Sequence, residues 1–358
     1  PTTYTGGSFN ATAPTRVMDT RSGIGGRTGP LGPGQTRTLQ VAGTAGVPSG
    51  ATAVTVNVTV TNPSAAGFIS VWPAGSPQPT ASNLNFQPGQ TVANLVQVPL
   101  GSGGALNFYN SFGSADVIAD VNGYTSAGGA AYTALAPQRL LDTRTSGGPV
   151  GAGASVSVPG IPAGATAVVL NVTAVNPSAA GYLTAYPTGT GVPTASNVNF
   201  QPGQTVPNRV IVQVGSGVSI YNFLGRTDVV VDLDGYYGAG AAAFTGISPT
   251  RILDTRSGGG SLGPLGTLTL QGTGGYAQIP AAAKAVVLNV TAADTSSPSY
   301  LTLFPNGSGR PTASDLNWTG GQVVPNLVIA SVGAGGSIQV FNFAGSTDVI
   351  VDVLGYYS

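Results

Sequence analysis

The stretch Val54-Thr-Val-Asn-Val-Thr-Val-Thr61 alternates apolar and polar side chains without a break. As a strand it puts Val54, Val56, Val58 and Val60 on one face and Thr55, Asn57 and Thr59 on the other. The pattern returns at 168–175 and 286–292, and the same succession of short runs follows each time. An aromatic-rich run stopped by Pro comes next (67–73, 181–187, 299–305), then a brief Asn-bearing run at 82–86, then 93–98 and 105–109, and last 116–124, each with its counterparts downstream. Gly, Pro, Asn and Ser punctuate the runs at intervals of roughly 8 to 12 residues, and no segment has a 3.6-residue period. This predicts an all-β protein of about eight short strands per copy, each copy a β-sandwich of Greek-key or jelly-roll type. A trefoil or propeller is disfavoured, because the repeat has the length of a domain and not of a hairpin or blade.

The repeat itself is explicit. Pro14-Thr-Arg16-Val-Met-Asp19-Thr-Arg21 recurs as Pro137-Gln-Arg139-Leu-Leu-Asp142-Thr-Arg144 and as Pro249-Thr-Arg251-Ile-Leu-Asp254-Thr-Arg256. With Phe9, Tyr132 and Phe244 in equivalent opening positions, three homologous domains span 9–125, 132–237 and 244–358, after a leader of residues 1–8. Such units exceed the ~20 to 50 residues of solenoid repeats, so tandem domains are expected. The joints at 125–131 and 238–243 are short and rich in Gly and Ala, so neighbouring domains should touch.

Composition narrows the chemistry. Charged residues make up 7% of the 358, where about 25% is usual, and they comprise twelve Asp, eleven Arg and Lys284, with no Glu, His or Cys. A formal net charge of zero offers no basic stripe for phosphates, so nucleic acid is not an expected partner. Without His or Cys there is no Ser-His-Asp or Cys-His arrangement and no zinc or ordinary haem site, so the expectation is a protein that is not an enzyme. No apolar run approaches the ~18 to 20 residues needed to span a bilayer. Surfaces rich in Thr, Ser, Asn and Gly, and an opening at Pro1 without Met, read as a processed extracellular or cell-surface protein, although the absence of Cys leaves the redox compartment open.

Five charges recur in every copy: Arg16, Asp19, Arg21, Asp116 and Asp120; Arg139, Asp142, Arg144, Asp228 and Asp232; Arg251, Asp254, Arg256, Asp348 and Asp352. On the closing strand Asp116 and Asp120 flank Ile118 on one face while Val117, Ala119 and Val121 take the other, so both carboxylates are drawn from water and need a cation or several hydrogen bonds. The economical reading is structural: Arg from the first strand forks onto Asp from the last. Oxygen ligands are all this chain offers a metal, which leaves a calcium site of Asp carboxylates and Asn or backbone carbonyls to be weighed, but no EF-hand spacing supports it, and neither a metal nor another cofactor is assigned. A glycosidase-like Asp pair is disfavoured because the same Arg would keep both carboxylates ionised. The Asn-Val-Thr triplets at Asn57, Asn171 and Asn289 match a glycosylation sequon but sit mid-strand, where alternation alone produces them.

Two polar-aromatic features suggest a recognition surface. One is the tract Pro79-Thr-Ala-Ser-Asn-Leu-Asn-Phe86, repeated at 193–200 and 311–318 and followed by Asn94, Asn208 or Asn326; the other is the turn holding Phe112, Phe223 or Phe343. Amides beside stackable rings suit a sugar, which makes Asn94, Asn208, Asn326, Phe223 and Phe343 the candidate ligand residues; the plainer reading has the Asn cap turns and the rings fill the core.

Taken together, the motifs resemble the tandem β-modules of secreted and cell-surface proteins of actinobacteria and related bacteria, which open on Pro-x-Arg-φ-φ-Asp-Thr-Arg and close on Asp-Val-φ-x-Asp-φ-x-Gly-Tyr. The third copy departs from that pattern at Asp315, where the others have Asn83 and Asn197, and at Asp294-Thr-Ser-Ser-Pro298. The resemblance implies an extracellular, non-catalytic accessory or surface role. The leading expectation is a secreted structural protein that self-associates as a fibre, array or coat, since setting aside the fifteen repeated charges leaves nine for the surface of three domains. Exposed β-edges could pair, and the leader could lie against a neighbour's sheet. The alternative is a trivalent module binding cell-wall or other extracellular polysaccharide.

Overall fold

The computed structural model describes residues 2–240, 242–275 and 277–358. The first copy forms β1 (Ser8–Asp19), β2 (Thr36–Gln40), β3 (Ala53–Thr61), β4 (Gly67–Pro73), β5 (Leu84–Phe86), β6 (Val92–Pro99), β7 (Ala105–Asn110) and β8 (Asp116–Ser126). The second forms β9 (Ala131–Asp142), β10 (Ser155–Val158), β11 (Ala167–Val175), β12 (Gly181–Pro187), β13 (Val198–Phe200), β14 (Thr205–Gln213), β15 (Val218–Asn222) and β16 (Asp228–Gly238). The third forms β17 (Phe244–Asp254), β18 (Thr267–Gln271), β19 (Ala285–Ala293), β20 (Ser299–Pro305), β21 (Leu316–Trp318), β22 (Val324–Ser331), β23 (Ser337–Asn342) and β24 (Asp348–Tyr357). Strand accounts for 54% of the chain, as the alternating patterns lead one to expect.

Each copy contributes two antiparallel four-stranded sheets. One has the order β1-β8-β3-β6, repeated as β9-β16-β11-β14 and β17-β24-β19-β22; the other has β2-β7-β4-β5, repeated as β10-β15-β12-β13 and β18-β23-β20-β21. An apolar cluster lies between the two sheets of each copy, and in the first it takes in Val54, Val56, Val58 and Val60 with Ile69, Phe108 and Val117.

The opposite face of β3 is also buried, because the copies are not strung out. A fourth cluster joins all three: Phe9, Leu95, Tyr132, Tyr237, Phe244 and Tyr357 are among its members. The side-chain amides at the seams run in one cyclic sense: Asn57 Nδ2 donates to Ser196 O (2.8 Å), Asn171 Nδ2 to Ser314 O (2.7 Å), and Asn289 Nδ2 to Ser82 O (2.7 Å). First holds second, second holds third, and third holds first, which only a closed ring permits. Separate tandem sandwiches therefore give way to six sheets in a propeller-like ring, reached without a blade-length repeat because each copy supplies two sheets.

The leader completes the ring. Phe9 exchanges backbone hydrogen bonds with Ala130 of the first joint, and Tyr132 N–H donates to Ala242 O of the second (2.8 Å). Phe244 of the third copy pairs with Gly7, while Tyr4 N–H donates to Gly246 O (2.9 Å) and Ser248 N–H to Thr2 O (2.9 Å). The leader thus lies against the third copy of its own chain. The opening ring of each copy packs on a closing-motif glycine: a Cβ on Gly123, Gly235 or Gly355 would fall into Phe9, Tyr132 or Phe244. That contact accounts for the Gly of the Gly-Tyr close.

Candidate functional site

The recurrent charges form one clasp per copy. Arg16 makes a bidentate pair with Asp120 (Nε to Oδ1 2.9 Å, Nη2 to Oδ2 3.0 Å) and reaches Asp19 with Nη1 (3.2 Å). Arg21 in turn forks onto Asp19 at 2.9 and 2.7 Å. Arg139, Asp142, Arg144 and Asp232 repeat the chain, as do Arg251, Asp254, Arg256 and Asp352. Asp116, Asp228 and Asp348 stand apart from these arginines and accept the hydroxyls of Thr20, Thr143 and Thr255 (2.6–2.8 Å). The Arg256 guanidinium holds Asp254 down to about 2, and hydrogen bonds from Arg21 and Arg144 lower Asp19 and Asp142 from the ordinary carboxylate value. Burial pushes Asp232 and Asp352 up against the pull of Arg139 and Arg251. With its carboxylates turned to an arginine or a hydroxyl, the clasp ties the first strand to the last. Among the described residues no group of three or more Asp could hold a metal ion.

Asn94, Asn208 and Asn326, the candidate ligand amides, are buried at the seams between copies, and Asn208 also borders the cavity described below. Each is 1% exposed and turned to the ring axis, where Asn94 Nδ2 meets Asn289 Oδ1, Asn208 Nδ2 meets Asn57 Oδ1, and Asn326 Nδ2 meets Asn171 Oδ1 (3.1–3.2 Å). Asn94 Oδ1 accepts the N–H of Leu327, Asn208 Oδ1 that of Leu95, and Asn326 Oδ1 that of Arg209, each donor coming from the preceding copy around the ring. The Asn-Val-Thr asparagines and these three are two halves of one seam.

A cluster that sequence reasoning missed breaks the symmetry. Arg209, fully buried, pairs with Asp234 of its own copy and with Asp315 of the third (2.7 Å), and donates Nε to Leu327 O (3.1 Å). Burial raises Asp315 and raises Asp234 further, since two carboxylates share one guanidinium. The equivalent positions are Leu95 and Leu327 for Arg209, and Asn122 and Leu354 for Asp234. Three of the nine charges assigned to the surface are therefore internal. Six remain: Arg27, Arg37, Arg226, Lys284, Asp294 and Arg310.

The two ends of the ring differ. Joints and leader occupy the end where Ala53 pairs with Thr125. At the other end, each copy laces three loops together. Gly89 N–H donates to Pro63 O, Ser64 N–H to Ser114 O, and Ser114 N–H to Ser64 Oγ (all 2.8 Å), with the same bonds in the second and third copies. The innermost loops enclose a cavity of about 720 Å³ on the ring axis, lined by all three copies. The outermost loops carry Phe112 (63% exposed), Phe223 (45%) and Phe343 (47%). Phe223 stacks on Tyr182 at 4.6 Å and Phe343 on Tyr300 at 4.9 Å, both with ring planes 11° apart, so each outer ring has one face supported and one free. Copy 1 has Ser111 at the stacking position and Phe112 one residue later, next to no such partner ring among the described residues. Asn85, Asn199 and Asn317 lie across from Phe68, Tyr182 and Tyr300 in the sheet register.

No protein-family model and no curated protein sequence matches this chain. Among solved structures, one described as "Life in the extremes: atomic structure of Sulfolobus Turreted Icosahedral Virus" aligns over 98% of this chain and 90% of its own at 12% identity, with a TM-score of 0.22. Another, "The Triple Jelly Roll Fold and Turret Assembly in an Archaeal Virus", aligns over 98% and 89% at 11% identity, with a TM-score of 0.20. Scores that low carry no argument about this chain. No described helix is long and apolar enough to cross a membrane.

Proposed function

We propose that this chain is an extracellular, non-catalytic recognition module that binds uncharged polysaccharide, such as cell-wall or other extracellular glycan, through the loop end of the ring, without a cofactor. Each copy serves in it as a jelly-roll-like sandwich. The observation that carries the reading is the triplicated presentation of an exposed Phe on laced loops around a common cavity. Solvent-facing rings on the same loop of every copy do not serve the core, and at Phe223 and Phe343 a ring face backed by a second ring suits the apolar face of a pyranose. A rigid ring holds the three contacts at fixed spacing, so weak individual contacts add up as avidity.

Retention on insoluble neutral polysaccharides tests this. The wild-type chain should be retained and the triple variant F112A/F223A/F343A released; at about 1 kcal/mol per ring, the loss is on the order of 100-fold. Retention of no neutral polysaccharide, or equal retention of both proteins, would overturn it.

Self-association is the second reading, and the charge inventory favours it: six charges outside the clasps and the seam leave little repulsion between molecules. Light scattering and electron microscopy over a concentration series would reveal filaments or arrays. A strict monomer throughout would refute it.

A further inference from the structure

We infer that the axial cavity is itself a binding site, for a single neutral sugar unit bearing an acetamido group. The inference rests on the glycan reading above and adds to it a place and a ligand chemistry.

The cavity is enclosed by the turns 87–90, 201–204 and 319–322, and the strands that leave them. In each turn a glutamine secures the backbone through its oxygen: Gln90 Oε1 accepts the N–H of Gln87 (2.9 Å), Gln204 Oε1 that of Gln201 (2.8 Å), and Gln322 Oε1 that of Thr319 (2.8 Å). The three Nε2 groups have no hydrogen-bond partner among the described residues, and all three glutamines are half-buried. Amide donors fixed by their own oxygens are ready-made contacts for a carbonyl or hydroxyl oxygen.

No charged residue lines the cavity. An ionic ligand would lose its hydration there without receiving a counter-charge, so the occupant is neutral. The volume lies within the range of small-molecule pockets and suits a mono- or disaccharide.

The wall is not uniform, and this selects the functional group. The first two copies present Gln87 and Thr91, Gln201 and Thr205, while the third presents Thr319 and Val323 in the same places, beside Pro298 and Trp318. The third side is thus the more apolar one, with Val323 in place of a threonine, and keeps Asn317, Thr319 and Gln322 as its polar groups. A ligand with a carbonyl and a methyl group on one short substituent satisfies both kinds of wall, and an acetamido group is that substituent. A ligand with hydroxyls alone has no methyl group to set against Val323 and Pro298.

Saturation-transfer NMR with chitobiose and with cellobiose as probes tests the assignment. Chitobiose should show transfer strongest at its acetyl methyl protons, and cellobiose should bind at least 10-fold more weakly. The triple variant Q90E/Q204E/Q322E keeps each turn-securing oxygen but removes the three donors, and should abolish chitobiose transfer. Thr205→Trp, which fills the mouth without touching a turn hydrogen bond, should do the same and covers the case in which the triple variant fails to fold. F112A/F223A/F343A should still bind chitobiose while losing polysaccharide. Equal binding of the two disaccharides, or chitobiose transfer that survives both cavity substitutions, overturns the cavity assignment and leaves the glycan reading intact. Failure of every glycan to bind removes both.

Discussion

Removing the guanidinium of Arg209 is the sharpest perturbation this ring offers. Its side chain is 0% exposed and those of Asp234 and Asp315 are each 3% exposed, so Arg209→Leu strands two carboxylates at the seam between the second and third copies. Breaking a buried pair from one side costs about 3–5 kcal/mol. The first copy supplies the compensation, with Leu95, Asn122 and Asn83 at the equivalent places. The variant R209L/D234N/D315N should therefore recover most of the loss, since a buried ion cluster replaced whole is often neutral or stabilising. Recovery will fall short by about 1 kcal/mol, because Asn122 Oδ1 is itself buried without a partner in the copy being imitated. Urea unfolding followed by circular dichroism, and by the fluorescence of Trp72 and Trp318, measures both variants. A triple variant as unstable as the single one would refute the account of the cluster as a charge-pairing unit and point to lost packing.

Three further outcomes follow from the same geometry. Asp234 has a raised folded pKa, so the folded state keeps a proton that the unfolded chain releases near pH ~4, and stability from this group declines as pH rises above that value; Asp254, depressed to about 2, gives stability that is present above pH ~4 and lost as pH falls toward 2. Melting temperature should thus peak in mild acid, with D234N flattening the limb above the peak and leaving the acid limb in place; parallel curves for the two proteins would count against this. Deleting residues 1–7 should raise hydrogen exchange at Phe244–Ser248 while the segment around Tyr132 keeps its protection, and unchanged exchange at 244–248 would deny the leader its role as a strand of the ring. Asn208→Ala leaves Asn57 Oδ1, Asn197 O and the Leu95 N–H short of a partner and should cost about 1–3 kcal/mol in denaturant melts without a separate loss of glycan retention.

Strands and clasps were legible in the sequence because their signals are local or repeated. Alternation fixed the faces of β3, and a charge trio beside a closing Asp pair announced an ion-paired clasp, although which Asp meets Arg and which meets Thr depends on register and could not be read. The ring was not legible. A period-two pattern says which side chains share a face, never what covers that face, so Asn57 looked like an incidental product of alternation and Asn94 like a surface amide. The signal was present in two columns of asparagine, 57, 171, 289 and 94, 208, 326, each within a strand and flanked by apolar residues on both sides, save that Arg209 follows Asn208. An amide so placed has to find a partner inside the protein. Arg209 carried a plainer mark, an arginine amid Pro207-Asn-Arg-Val-Ile-Val212 where the other copies have leucine, accompanied by Asp at 234 and 315 in place of Asn122 and Asn83.

That these three departures occur together bears on how one chain selects one ring. The Asn contacts are the same at every seam and would bring any copy against any other. Arg209 is different: it needs a carboxylate from the copy beside it, and only the third copy has Asp315 in place of asparagine. A second copy set against the first would face Asn83 and leave Arg209 with one carboxylate and an unfilled donor, a penalty of kcal/mol order in a site without water. At the closing seam the discriminator is neutral, with Tyr357 sharing hydrogen bonds with Tyr237 and with Gln97 of the first copy (2.9 Å), where the other copies have Ile211 and Ile329. Unlike seams between like domains thus fix the order of the copies around the axis.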